Sequence, residues 1–374
     1  MNNRERVKAI LHYEDYDRMP VVHFGYWQET LEKWRDEGHL TPGEIEGVSD
    51  GNEQEKALSA KLGFDFNWFS VVRDKSDILS AIYPLFEKKV LETLEDGSRK
   101  VMNQYGVVEL EVPGVRSIPN EYDHLLKDRK SWEELFLPRL QFSADRFDAD
   151  LMKAYASESE TRTDPLGLFA GSLFGQLRNA MGLEGISYVQ QDDEDLFDEM
   201  IHTVGALSFS VTQYLLSCRI EFDFGHFWED ICFNHGPLIS PVVFAGKVGP
   251  WYKKITGLMA DHGIDIVSLD SDGKIDALVP IWVENGVNTM FPIEVGTWQA
   301  DLLPWRKQYG RSVRGVGGMD KRVFALDRRA VDEEVDRLKE LEALGGFIPC
   351  VDHRIAPDAE WDNVRYYCDR MRSE

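Results

Sequence analysis

Short apolar runs that end in acidic residues recur along the second half of the chain, about one helix apart. The clearest are residues 222–228 followed by Glu229 and Asp230, residues 264–269 followed by Asp270 and Asp272, and residues 288–292 followed closely by Glu294. Such a run is typical of a parallel strand buried on both faces, and each gap has room for a crossover helix. Because the carboxyl ends of parallel strands meet at one edge of a sheet, these acids are expected to cluster there.

The same alternation extends through the chain and predicts eight strands. They are residues 20–24, 63–70, 167–171, 222–228, 264–269, 288–292, 314–318 and 346–349. Eight strands that mostly alternate with helical patterns favour an α/β fold of the (β/α)₈ TIM barrel type. We predict one such domain over residues 1–374.

One segment breaks this pattern. Residues 82–112 alternate with a period of two around Asp96 and Gly97, and an Asp-Gly pair supplies the positive φ of a tight hairpin turn. We therefore predict an antiparallel β-hairpin insertion after strand two. The sequence leaves open whether it is a lid or a structural decoration.

Composition and charge restrict the partners. The 374 residues are 43% hydrophobic and 11% aromatic, which is sufficient for a large core, and the net charge is −24. An acidic surface repels phosphate, so we expect no nucleic-acid partner and no membrane partner. The four cysteines form no Cys-x-x-Cys pair, and the N-terminus does not look like a signal peptide. A cytoplasmic location is predicted.

The acids that follow the strands are the candidates for chemistry, because clustered carboxylates must share protons, pair with bases or bind a cation. We assign the catalytic role to Asp270, Asp272, Glu294 and His353. Asp272, Glu294 and His353 could hold zinc or another divalent metal. Alternatively, the site could be a proton donor, in which a protonated acid and His353 supply a proton to a leaving group. The residues expected to bind substrate are His23, Tyr26, Trp228, Glu229 and Asp230.

Several motifs add a resemblance to a known family. They are NRERVKAILHYEDYDRMPV from Asn3, GPLISPVVF from Gly236, GGMDKRVFAL from Gly317 and GGFIPCVDHRIAPD from Gly345. With them, the chain resembles the uroporphyrinogen decarboxylase superfamily, which includes methyltransferases that pass methyl groups to or from corrinoid proteins and thiols. The resemblance implies a barrel whose pocket lies at the carboxyl ends of its strands.

Departures from the family motifs indicate which members are most similar. The decarboxylases carry an arginine soon after the first strand, and residues 20–26 contain none. The thiol-dependent methyltransferases carry zinc-binding thiolates, and Asp270-Ser271-Asp272-Gly273 stands there instead. The chain looks closest to members associated with demethylation of O-methyl substrates.

The resemblance therefore implies a methyltransferase that moves a methyl group from a small molecule, such as an aryl methyl ether, to the cobalt of a corrinoid on a separate protein. It also allows a homodimer. Two other functions stay open: decarboxylation of uroporphyrinogen or a related carboxylated substrate, and non-catalytic binding of a tetrapyrrole or corrinoid. Repeated acids at the active end favour an enzyme.

Overall fold

A computed structural model describes residues 1–112 and 120–373. In chain order its strands are β1 (Val22–His23), β2 (Phe66–Asn67), β3 (Val71–Val72), β4 (Lys89–Thr93), β5 (Arg99–Met102), β6 (Val107–Glu111), β7 (Asn120–His124), β8 (Gly167–Phe169), β9 (Phe224–Trp228), β10 (Cys232–Phe233), β11 (Gly236–Pro237), β12 (Val267–Asp270), β13 (Thr289–Ile293), β14 (Arg314–Met319) and β15 (Phe347–Val351).

Helices separate most of these strands. The α-helices are α1 (Asn3–Leu11), α2 (Gln28–Asp36), α3 (Pro42–Ile45), α4 (Glu53–Leu62), α5 (Arg129–Ser131), α6 (Ala149–Glu158), α7 (Gly175–Asp192), α8 (Glu194–Ser217), α9 (Pro241–Val243), α10 (Gly249–Asp261), α11 (Val279–Glu284), α12 (Val295–Trp298), α13 (Leu302–Tyr309), α14 (Arg328–Glu342) and α15 (Trp361–Arg372). Short 3-10 or π helices cover Trp132–Phe136, Leu137–Arg139, Ala144–Arg146, Phe244–Val248, Gly310–Ser312 and Lys321–Ala325. Within the described residues, no helix combines the length and the apolar character needed to cross a bilayer.

The main sheet has nine parallel strands in the order β2-β1-β15-β14-β13-β12-β9-β8-β3, with helices around it. The predicted α/β barrel-like architecture is confirmed at this level. The amphipathic helix α14 shows how the outer layer is held. Val331, Val335, Leu338 and Leu341 recur at helical spacing and are buried, while Asp327 caps the first turn.

Within the predicted second strand, residues 63–70, the structure has only the short strand β2, which pairs with β1. A further strand, β3, begins just beyond that range at Val71 and pairs with β8 at the other end of the order. Only residues 68–70 separate β2 from β3, and the two do not pair with each other in the described chain. We call this break the seam. The backbone runs across it and joins the two edges of the sheet.

The insertion after this strand contains more than a hairpin. Strands β4 to β7 form a four-stranded antiparallel sheet in chain order. The turn with Asp96 and Gly97 joins its first two strands, and Gly97 has φ of +85°. The fourth strand, β7, lies beyond the range of 82–112 that the sequence indicated.

Candidate active site

The two-residue period of a strand decides which side chains enter the barrel. On β9, Phe224, His226 and Trp228 share one face. The His226 ring lies 5.9 Å from the ring of Phe291 on β13, two strands away, and its Nδ1 is 2.7 Å from the hydroxyl of Ser268 on β12. This face therefore points into the barrel, and it carries Trp228 towards the mouth.

Asp270 ends β12 on the same inward face as Ser268, opposite Trp228 in the register. Its exposed fraction is 3%, and within the described residues no hydrogen bond reaches its carboxylate. Burial raises the pKa of Asp270 well above its ordinary value, and the charges of Asp272 and Asp230 raise it further, while Arg354 opposes them. The site therefore favours the protonated acid.

Asp272 and His353 form a contact beside it. Nε2 of His353 lies 3.2 Å from Oδ2 of Asp272. The imidazole stacks on Trp27, with ring centroids 5.8 Å apart, and meets the edge of Phe24. Oδ1 of Asp272 and Nδ1 of His353 are buried and have no hydrogen-bond partner among residues 1–112 and 120–373. Each side chain thus keeps one polar atom without a partner.

Glu294 holds the loop that carries Asp272. The backbone N–H of Gly273 donates to Oε2 of Glu294 over 2.9 Å, and the Thr297 hydroxyl donates to Oε1. Gly273 has φ of +80°, and a Cβ there would lie 2.6 Å from the carbonyl oxygen of Cys232. The turn after Asp272 therefore requires glycine.

A cleft of about 320 Å³ opens beside these groups. Asp230, Asp272 and Glu294 line it together with Arg178. Arg178 donates to Oδ2 of Asp230 over 3.1 Å. Burial, with the charge of Asp272, still raises the pKa of Asp230. Three of the predicted acids therefore converge at the carboxyl ends of β9, β12 and β13.

Two arginines reach the mouth from outside residues 20–26, so the lack of an arginine in that segment does not leave the site without guanidinium groups. Arg178 comes from α7. Arg354 follows β15, donates two hydrogen bonds to Asp50, and lies 5.7 Å from the ring of Phe24 on the first-strand loop. Each of these two arginines is hydrogen-bonded to a carboxylate, Arg178 to Asp230 and Arg354 to Asp50.

Glu229 does not face the cleft, which corrects its predicted role in substrate binding. Its carboxylate accepts the N–H groups of Leu173, Phe174 and Gly175 at 2.7–3.1 Å, and the hydroxyls of Ser172 and Tyr252. It thus caps the start of α7. Burial raises the pKa of Glu229, although these donors oppose the shift.

His23 and Tyr26 also point away from the mouth, and their predicted substrate contacts are corrected. Nε2 of His23 lies 2.9 Å from both Ser59 and Glu55 on α4, and the Tyr26 hydroxyl is 3.1 Å from Ser59. Both side chains are buried in the contact between β1 and α4.

His226 is the interior residue that the sequence analysis missed. It is fully buried, and its Nε2 has no partner in the part of the chain that the structure describes. Burial lowers its pKa to about 3, so the ring is neutral. Counting back two residues from Trp228 would have placed it on the inward face.

The predicted metal ligands are only partly assembled. Asp272 and His353 are adjacent and each has an unpartnered atom, but both oxygens of Glu294 accept hydrogen bonds. Among residues 1–112 and 120–373, no group of three or more His, Cys, Asp and Glu is arranged to hold a metal ion. The arrangement does not fit a three-ligand site, and a bound metal stays a prediction.

Comparison with known proteins gives a fold and no family. No family model and no curated protein matches the chain. A methyltransferase from Methanosarcina mazei superposes with a TM-score of 0.59 at 13% identity, over 99% of both chains. A B12-independent methionine synthase from a Shewanella species gives a TM-score of 0.47 at 8% identity, over 95% of this chain and 98% of its own. A putative one from Listeria monocytogenes gives a TM-score of 0.44 at 9% identity, over 96% of this chain and 100% of its own. At this identity the first likeness shows a shared fold alone.

Proposed function

We propose that this chain is a methyltransferase that takes a methyl group from a methylated small molecule, in particular an aryl methyl ether. The acceptor is the reduced cobalt of a corrinoid on a separate protein, which is a substrate of the reaction. The observation that carries the proposal is the convergence of Asp270, Asp272 and His353 at the barrel mouth beside an open cleft. The fold neighbour named as a methyltransferase supports it.

An ether oxygen is a poor leaving group until it receives a proton. Asp270 is the donor, because its buried environment favours the protonated form. As the methyl–oxygen bond breaks, its electron pair stays on oxygen and the proton of Asp270 moves there, while the cobalt nucleophile supplies the pair for the new bond. The imidazole of His353, held against Asp272, is the nearby group of this site that exchanges protons with solvent near neutral pH, and we assign it the return of a proton to Asp270 after each turnover.

Several aromatic rings pack around Asp270 and His353, of which Phe291 is fully buried while Trp27 and Trp228 are partly exposed. The rings of Phe24 and Phe291 meet edge to face with centroids 4.6 Å apart, and Trp27 and His353 stack nearby. Trp228 lies on the inward face beside Asp270. Aromatic side chains provide apolar area with defined geometry, which favours an aromatic ether over a flexible aliphatic one.

The test is a methyl-transfer assay with a reduced corrinoid protein and a set of methoxyaromatic compounds. We expect the spectrum of a methylated corrinoid to grow with the demethylated product in equal amounts, and metal analysis of the same sample tests the divalent ion. Absence of transfer from every compound, with the corrinoid protein active towards a control enzyme, would overturn the proposal.

A second candidate is decarboxylation, which Arg178 and Arg354 favour because guanidinium groups bind substrate carboxylates. Incubation with uroporphyrinogen distinguishes the two functions, since only a decarboxylase releases carbon dioxide and coproporphyrinogen.

A further inference from the structure

Asp352 joins three loops at the barrel mouth. It directly precedes His353 and is fully buried. Its Oδ2 accepts the backbone N–H of Gly296 over 2.8 Å, and its Oδ1 accepts that of Lys321 over 3.0 Å. One carboxylate therefore connects the end of β15 to the loops that follow β13 and β14.

The Asp352 carboxylate also determines which hydrogen bonds Glu294 makes. Glu294 is the N-cap residue of α12, yet its side chain makes no capping hydrogen bond. Asp352 takes the N–H of Gly296 at the second position of that helix instead. The Glu294 carboxylate is thereby left to bind Gly273 and to fix the loop of Asp272.

The hydrogen bond between Gly296 and Asp352 lies in a closely packed region. A Cβ on Gly296 would lie 3.3 Å from Oδ2 of Asp352 and 3.2 Å from both Oδ1 of Asp320 and Nε of Arg322. These distances are tighter than ordinary van der Waals contact, so an added methyl group requires its neighbours, the Asp352 carboxylate among them, to move by a few tenths of an ångström.

We propose that Asp352 is a positioning residue that sets Glu294 and His353 against Asp272. Its chemical consequence rests on the proposed methyl transfer, whereas the geometric part does not. Residues of this kind fix the orientation of groups in a site without touching the substrate.

The test variant is Asp352→Asn, which keeps the size but replaces one acceptor oxygen with an N–H₂ group facing a backbone N–H. We expect the imidazole signals of His353 in a long-range ¹H–¹⁵N spectrum to shift or broaden. In the methyl-transfer assay, kcat should fall at least about tenfold with little change in KM, as for other outer-shell partners. Asp327→Asn, at the exposed N-cap of α14, is the matched control and should change neither measurement.

If Asp352→Asn does not fold, Gly296→Ala probes the same hydrogen bond, and the same His353 change is expected. Unaltered His353 signals in a folded variant would overturn the inference. Altered signals in a series where the wild type transfers no methyl group would uphold the positioning role and count against the proposed function alone.

Discussion

Glu229 and Asp270 lie at the ends of neighbouring strands, are both buried, and both have pKa values raised by burial. They differ in their surroundings. Glu229 accepts hydrogen bonds from three backbone N–H groups and two hydroxyls, whereas Asp270 accepts none in the described chain and faces other carboxylates. A raised pKa therefore does not identify a reactive acid by itself, and the presence or absence of donors separates a cap from a proton donor.

The largest expected effect comes from Asp270→Asn. The amide cannot deliver a proton to the leaving oxygen, so turnover should fall by at least about 10²-fold. Steady-state methyl transfer measures the loss. Asp265→Asn, at an exposed position before the same strand, is the control and should keep wild-type rates. An Asp270→Asn enzyme with wild-type turnover would contradict the assignment.

Glu229→Gln should act on the stability of the fold, in contrast to Asp270→Asn, which should act on turnover. Its N–H₂ group would face backbone N–H donors at the start of α7, so we expect the free energy of unfolding to fall by about 3 kcal/mol. Denaturant titration measures this change. Glu360→Gln, at the N-cap of α15 where the side chain makes no capping bond, should stay within about 0.5 kcal/mol of the wild type. Equal effects of both substitutions would count against the capping role.

The pH dependence of stability tests whether Asp270 is held protonated in the folded state. Because the pKa of Asp270 is raised in the folded state, the folded chain holds this proton more tightly than the unfolded chain. Relative to Asp270→Asn, the wild type should lose stability as pH rises from about 3.9, the ordinary value for aspartate, through the raised pKa. Denaturant titrations of both proteins across this range measure the difference. A difference that does not vary with pH would show that Asp270 is not held protonated.

The smallest expected effect is that of Tyr26→Phe. Removing the hydroxyl that meets Ser59 should lower the free energy of unfolding by about 1 kcal/mol. KM should stay unchanged, because the ring lies under α4 and not in the mouth. A large rise in KM with no loss of stability would restore the substrate contact inferred from the sequence.

The alternation of apolar runs and helices was sufficient to locate eight of the nine strands of the main sheet, β3 being the exception, and to expect Asp230, Asp272 and Glu294 in one place. It could not fix the direction of single side chains. Glu229 follows the inward-facing Trp228 by one residue. Because successive side chains of a strand alternate in direction, an error of one position is sufficient to place its carboxylate in the cleft and not at the start of α7. His23 lies on a strand of two residues, too short to show a period.

Contacts between distant segments were beyond the local pattern. Arg178 reaches Asp230 from a helix, and Arg354 reaches the first-strand loop from the end of the last strand. Nothing near either arginine in the sequence indicates these partners, because they depend on how the sheet closes. The separation of β2 from β3 has the same origin.

The seam between β2 and β3 has a dynamic consequence. The amides of the seam are bonded to one side of it: Trp68 donates to the carbonyl of His23, and Phe69 and Ser70 donate to Asn67. Because no ladder joins β2 to β3 in the described chain, local opening of the barrel wall should begin at this point, before global unfolding. Hydrogen–deuterium exchange should then be faster at Phe69 and Ser70, whose amides bond only to Asn67, than at the paired residues of β9 and β12. Because Trp68 stacks on Phe224 inside the barrel, opening of the seam would also loosen the packing of the barrel interior.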